Sequence, residues 1–207
     1  MSQDGAAVDA PRVSNWNVPN ALTTLRIVMV PFFGWALLTQ GGQSEGWRWV
    51  AYVLFALAMI TDKVDGDLAR KHNLITNFGK IADPIADKAL TGMAFVGLSI
   101  IGELWWWVTA VVLLREWGIT LMRFWLIHQG VVLPAGRGGK LKTLVQTLAL
   151  GLLIMPLKML DGRWDLVGDI GWWIGAIAMG VAVLLTVGTG LDYVRDTVRA
   201  RREQLPA

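Results

Sequence analysis

Four aspartates carry the most concentrated chemistry in this sequence. They lie in Asp62-Lys63-Val64-Asp65-Gly66-Asp67-Leu68-Ala69-Arg70 and in Gly79-Lys80-Ile81-Ala82-Asp83-Pro84-Ile85-Ala86-Asp87-Lys88. On a helix, Asp62 and Asp65 share a face with Gly66 and Ala69, while Gly79, Asp83 and Asp87 form an i, i+4, i+8 row. A short polar break joins the two segments, so two antiparallel helices are expected to turn their acidic rows toward each other. Crowded carboxylates favour hard divalent cations with oxygen ligands, Mg²⁺ or Mn²⁺. The chain has no cysteine and two histidines, so any metal must sit on oxygen or histidine.

The surroundings make those charges costly. Apolar residues make up 54% of the 207 residues, the formal charge is +3, and mean hydropathy is +0.48. Six apolar runs suit membrane-spanning helices, at 21–40, 48–72, 77–101, 104–128, 138–160 and 169–194. A lone Asp at the centre of such a helix costs about 2.5–3.5 kcal/mol. Four unpaired ones approach ~10 kcal/mol, comparable to a domain's whole stability. Asp87, eight residues after Gly79, lies about 12 Å further along the helix. The acids therefore need a wet cavity, cationic partners, or both. Pro84 is expected to bend the third helix and aim Asp83 and Asp87 at one point.

Basic residues set the orientation. With the N-terminus inside, thirteen Lys and Arg fall on the inner side, among them Arg26, Lys63, Arg70 and Lys140. The outer side receives only Arg48, Lys158 and Arg163, beside tryptophans such as Trp47, Trp105 and Trp172 that suit a bilayer interface. An even number of spans with both termini in the cytoplasm follows. The domain reading is a disordered segment over 1–14, six helices over 15–195 with a polar metal-binding cavity open to the cytoplasmic side, and a basic cytoplasmic tail over 196–207. Nucleic acid is not an expected partner, because no basic stripe on a soluble domain is present.

The pattern D-x2-D-G-x2-A-R-x8-G-x3-D-x3-D, from Asp62 to Asp87, resembles the signature of the CDP-alcohol phosphotransferase family. The resemblance implies that Asp62, Asp65, Asp83 and Asp87 hold two divalent ions, Mg²⁺ or Mn²⁺, that clamp the diphosphate of a CDP-linked lipid. Asp87 would also be the general base on the acceptor hydroxyl. Gly66, Ala69 and Gly79 would leave room for the cytidine nucleotide, and Arg70 would pair with phosphate oxygens. Two such ions can stabilise the attacking and leaving oxygens of a phosphoryl displacement.

Three further stretches resemble the bacterial phosphatidylglycerophosphate synthase branch of that family. They are Pro19-Asn20-Ala21-Leu22-Thr23-Thr24-Leu25-Arg26, Arg115-Glu116 with Arg123, and Gly139-Lys140-Leu141-Lys142-Thr143. On that resemblance Asn20 and Thr23 join the CDP site, and Arg115, Arg123, Lys140 and Lys142 receive the acceptor. The substrates would be CDP-diacylglycerol and glycerol 3-phosphate, a small dianion that needs a basic pocket. Arg115 lies inside a span, so a partner beyond the adjacent Glu116 is expected. The loop Pro134–Gly139 departs from that branch. A bacterial inner-membrane location and a homodimer are carried over as expectations. Phosphatidylinositol-phosphate synthase and CDP-dependent cardiolipin synthase share the acidic motif and stand as alternative acceptor readings. A divalent cation transporter is the rival from another class, though it gives no account of the small residues spaced among the acids.

Overall fold

The computed structural model describes residues 17–72, 76–129 and 137–204, excluding the side chains of Arg70, Asn77, Lys80, Arg137 and 200–204. The expectations for 1–14, for the Arg70 side chain and for most of the loop Pro134–Gly139 lie outside the described residues. Among the described residues there are six α-helices and no strand. They are α1 (Val18–Leu38), α2 (Glu45–Lys71), α3 (Asn77–Ile100), α4 (Trp106–His128), α5 (Arg137–Ile154) and α6 (Asp165–Gln204).

Local chemistry explains where several of these helices begin or end. Asn17 caps α1, its side chain accepting from the Asn20 amide at 2.9 Å. Thr76 caps α3, its Oγ1 accepting from the Gly79 amide at 3.0 Å. Between α1 and α2 the chain reverses through Gln40, Gly41 and Gly42, all at positive φ. A side chain at Gly42 would also strike Ile101. Pro156 ends α5 early, because the residue before a proline is pushed out of helical geometry. The returning chain then packs so closely that a Cβ on Gly168 would lie 2.0 Å from the Leu157 carbonyl oxygen. α3 stays helical on both sides of Pro84.

α1 packs extensively on both α2 and α3, and α5 on α6, whereas α2 and α3 touch each other sparsely. Phe33, Leu37, Phe55, Phe95, Leu98, Leu150 and Ile154 are buried at the centre. Fully buried Ala36, Ala51, Ala58, Ala86, Ala94 and Ala149 let the helices approach closely. The outside is apolar as well: Leu114, Leu121, Ile177, Leu184 and Leu191 are exposed. A surface of that kind matches a lipid environment.

Among the described residues three stretches are long and apolar enough to cross a membrane: Val18–Gly42, Gly138–Met159 and Gly162–Arg199. The other helices have the length, at 27, 24 and 23 residues, but carry charge. Their charges include Asp62 and Asp65 on α2, Asp83, Asp87 and Lys88 on α3, and Arg115, Glu116 and Arg123 on α4. α6 runs for 40 residues, about 60 Å at 1.5 Å each, and so continues through the start of the basic tail.

The end of the bundle away from the aspartates is closed by a buried cation. Arg48, only 2% exposed, donates to the carbonyls of Leu153 at 2.7 Å and Ile154 at 2.8 Å. These are terminal α5 carbonyls that no helical turn can satisfy. Arg48 also reaches Glu103 at 3.4 Å, and Glu103 accepts from the Trp172 indole at 2.8 Å. Sequence reasoning placed Arg48 among interfacial charges; the structure buries it as the node joining α2, α5 and the loop before α4.

Candidate active site

Asn20, Thr23 and Arg26 occupy one face of α1 at three-residue spacing, and all three are buried. Thr23 Oγ1 donates to Asp83 at 2.5 Å and to the Pro19 carbonyl at 3.1 Å. Thr76 Oγ1 donates to Asn20 Oδ1 at 2.9 Å. The two Arg26 terminal nitrogens donate to Asp62 and Asp65, one to each. α1 therefore supplies a polar strip that meets both acidic helices. The acidic rows of α2 and α3 come together at that strip, although the two helices touch each other sparsely.

The carboxylates differ in exposure. The Asp65 side chain is 4% exposed and that of Asp62 is 40% exposed. Asp62 and Asp83 stand near enough to Asp65 for their charges to interact, and Asp62 also interacts with Asp87. Gly79 lies against this set. A Cβ there would sit 3.1 Å from Asn20 Oδ1, 3.4 Å from Thr76 Oγ1 and 3.7 Å from Asp83 Oδ2. Gly66 and Ala69 are half-buried on the same helix as Asp62 and Asp65.

Whether this set suits metal can be judged from its donors. Among the described residues no three ligand side chains stand close enough to hold an ion as they are. Arg26 instead lies between two of the carboxylates, which shows that the pair is held by a cation. All four acids offer hard oxygen, the donor that Mg²⁺ and Mn²⁺ take. The donor chemistry suits such ions, while in the described geometry Arg26 bonds the Asp62 and Asp65 oxygens that an ion would need.

A second, basic cluster lies beside Asp87. Glu116 Oε1 accepts from Arg115 at 3.2 Å and from Lys142. Arg115 also donates to Thr189 of α6 at 2.8 Å. Its expected partner elsewhere is thus found, together with the adjacent Glu116. Lys88 donates to the Glu116 carbonyl at 3.2 Å and to Thr120. Arg123 stacks over the Tyr193 ring at 5.9 Å and is near enough to interact with Lys88, as is Lys142. Lys142 is 4% exposed, whereas Lys140 is exposed. Residues two apart point to nearly opposite sides of a helix, so only one of these lysines can enter the bundle.

Sequence reasoning missed four participants: Arg26, Lys88, Thr76 and Thr189. For Arg26 a signal existed, a charge inside an apolar helix one turn beyond Thr23. Among the described residues, the buried side-chain polar atoms with no hydrogen-bond partner are Arg26 Nε, Arg115 Nε, Gln146 Oε1, Thr186 Oγ1 and Tyr193 Oη. Gln146 lies one turn beyond Lys142, and Thr186 and Tyr193 flank Thr189 by one turn each. Native interiors rarely leave such atoms unpaired, and a water, an ion or a ligand is the usual partner of those that remain. Here they gather at the two clusters.

Residues 16–188 match the model of a family described as CDP-alcohol phosphatidyltransferase. A protein of Mycobacterium tuberculosis H37Rv named "Probable phosphatidylglycerophosphate synthase" is 48% identical over 183 residues, covering 88% of this chain and 82% of that one. A Bacillus subtilis protein named "CDP-diacylglycerol--glycerol-3-phosphate 3-phosphatidyltransferase" is 35% identical over 190 residues, covering 86% and 93%. One of the same name from Rickettsia bellii is 38% identical over 183 residues, covering 86% and 94%.

Proposed function

Because the chain belongs to the CDP-alcohol phosphatidyltransferase family, we propose that it transfers a phosphatidyl group from CDP-diacylglycerol to sn-glycerol 3-phosphate. The products are phosphatidylglycerophosphate and CMP. One observation carries the reading: on α3, Asp83 takes the Thr23 hydrogen bond of the acidic set, Lys88 donates to the Glu116 carbonyl of the basic cluster, and Asp87 stands between the two in sequence, one turn after Asp83 and directly before Lys88. A base at that junction can serve a donor held on one side and an acceptor held on the other.

Asp62, Asp65, Asp83 and Asp87 would hold two divalent ions, which when bound supply charge neutralisation to the donor's diphosphate. The chain's own residues do the rest. Asn20, Thr23, Gly66, Ala69, Arg70 and Gly79 form the nucleotide cradle, in which Gly79 leaves the backbone open beside Asn20 and Asp83. Arg115, Arg123 and Lys142 attract the acceptor's phosphate, with Lys140 at the entrance. Asp87 takes the proton from the acceptor hydroxyl as its oxygen bonds to the phosphatidyl phosphorus. The bond from that phosphorus to the CMP oxygen breaks, and CMP leaves with the electron pair.

The same reading makes all six helices membrane spans, with 15–195 as the catalytic domain, 1–14 and 196–207 as its flanks, and both termini on the cytoplasmic side of a bacterial inner membrane. α2, α3 and α4 are long enough to span; Asp62 and Asp65 of α2 pair with Arg26, Glu116 of α4 pairs with Lys142, and Asp83 and Lys88 of α3 hydrogen-bond Thr23 and Thr120. A homodimer belongs to the proposal as well. The buried Arg48 node supports a site open at one end only, which suits an enzyme better than a cation path. The test is a micelle assay with CDP-diacylglycerol, Mg²⁺ and radiolabelled acceptors on wild type and Asp87→Asn. Labelled lipid from glycerol 3-phosphate, lowered by about 10²–10⁴-fold in the variant, is expected. Lipid formed only from inositol phosphate or phosphatidylglycerol would replace the acceptor.

A further inference from the structure

The basic cluster contains a carboxylate where an anionic substrate would be expected to bind. Glu116 Oε1 takes both the Arg115 and the Lys142 hydrogen bonds, and its side chain is only 27% exposed. Lys142 is nearly fully buried, so its charge requires an anion close by. Lys88 and Thr120 hold the backbone carbonyl of Glu116 and leave its side chain to the cations. Around them Arg115 Nε and Thr186 Oγ1 are buried without hydrogen-bond partners among the described residues. The carboxylate thus meets the charge of the site but not all of its hydrogen-bonding capacity.

We propose that Glu116 stands in for the acceptor's phosphate, holding Arg115 and Lys142 in place until a phosphate monoester displaces it, and so admits dianionic acceptors over neutral alcohols. This rests on the acceptor reading above. A carboxylate offers one charge and two oxygens. A phosphate monoester offers nearly two charges and three oxygens, enough to take both cations and the unpaired Arg115 nitrogen. An uncharged alcohol has nothing to exchange for the Glu116 bonds and cannot open the site. A diester with one charge competes on equal terms at best. The displaced carboxylate stays near Asp87, whose charge it already reaches.

The test uses full-length enzyme in detergent, with inorganic phosphate and then glycerol 3-phosphate as titrants, read by calorimetry. Trp117 gives an independent fluorescence signal, since Lys88 lies 5.2 Å over its ring. In Glu116→Gln the competing charge is gone while the shape remains, so phosphate should bind about tenfold tighter. KM for glycerol 3-phosphate should fall in parallel, and glycerol should begin to act as a weak acceptor. Lys142→Gln should bind phosphate more weakly than wild type. Unchanged or weaker phosphate binding in Glu116→Gln, with Lys142→Gln still impaired, would overturn the placeholder and leave the acceptor site standing. Equal phosphate binding by wild type and Lys142→Gln would overturn the acceptor site itself. If Glu116→Gln does not fold, Glu116→Asp serves: its shorter arm cannot bridge both cations, and phosphate affinity above wild type is again expected.

Discussion

Replacing Arg26 by methionine tests whether the acidic set is held by an internal cation. Arg26 is 1% exposed, and its two terminal nitrogens serve Asp62 and Asp65. Methionine fills similar space without charge. Asp62 keeps access to solvent, but Asp65, at 4% exposure, is left as a buried carboxylate with no cation. Breaking one side of a buried pair costs about 3–5 kcal/mol. In a chain of this size each kcal/mol moves the melting midpoint by about 2–4 °C, so a fall of roughly 6–20 °C is expected. The assay is thermal unfolding in detergent with EDTA, followed by tryptophan emission.

Two companions separate this reasoning from simple damage. Mg²⁺ should raise the midpoint of Arg26→Met more than that of wild type, because the ion supplies the missing charge without having to displace the guanidinium. Adding Asp65→Asn to Arg26→Met should restore much of the loss, since the buried charge disappears along with its partner. An Arg26→Met midpoint within about 2 °C of wild type in EDTA, or one that Asp65→Asn lowers further, would refute the argument.

Three other outcomes follow from the contacts. Gly79→Ala places a Cβ 3.1 Å from Asn20 Oδ1, which already accepts from Thr76, so kcat/KM should fall at least about tenfold through displaced cradle groups, as measured by initial rates. Lys142→Gln should raise KM for glycerol 3-phosphate by about 30-fold or more, whereas Lys140→Gln, at an exposed position, should stay within about twofold. Arg48→Met leaves Glu103 without its cation and the α5 carbonyls without their donor, which should cost about 3–5 kcal/mol in thermal unfolding while kcat of the folded enzyme is unchanged.

The spacing of residues within one helix made the acidic rows and the helices legible, because both follow from a fixed rise and turn. Reach between helices was not legible. Arg26 reads as an inner-surface charge until α1 is seen lying against both acidic helices. Asn20 and Thr23 entered only through resemblance, since nothing local to α1 points to Asp83 or Thr76. Lys140 and Lys142 look equivalent in sequence, and only the register of α5 on its neighbours separates them. Arg115 lies between two cases: the rule that adjacent residues do not face each other predicted a partner elsewhere, which is Thr189, but a long guanidinium also bends back to Glu116.

The two buried arginines mark the difference between a structural charge and a working one. Arg48 has donor bonds to backbone carbonyls, which nothing else in the bundle can claim, and its Nε is satisfied by Ile154. Arg26 bonds side-chain carboxylates that a stronger cation would take, and its Nε has no hydrogen-bond partner among the described residues. A fully bonded buried ion resists movement, because every bond lost exposes an uncompensated group. An incompletely bonded one has less to lose by moving and a free donor to offer a phosphate oxygen. The same contrast separates the Glu103–Arg48 contact from the Glu116–Arg115 contact, where again the guanidinium Nε is unpaired. Under the proposed function, the unpaired Arg26 and Arg115 nitrogens fall at the end of the bundle assigned to the substrates, and the fully bonded Arg48 at the other end.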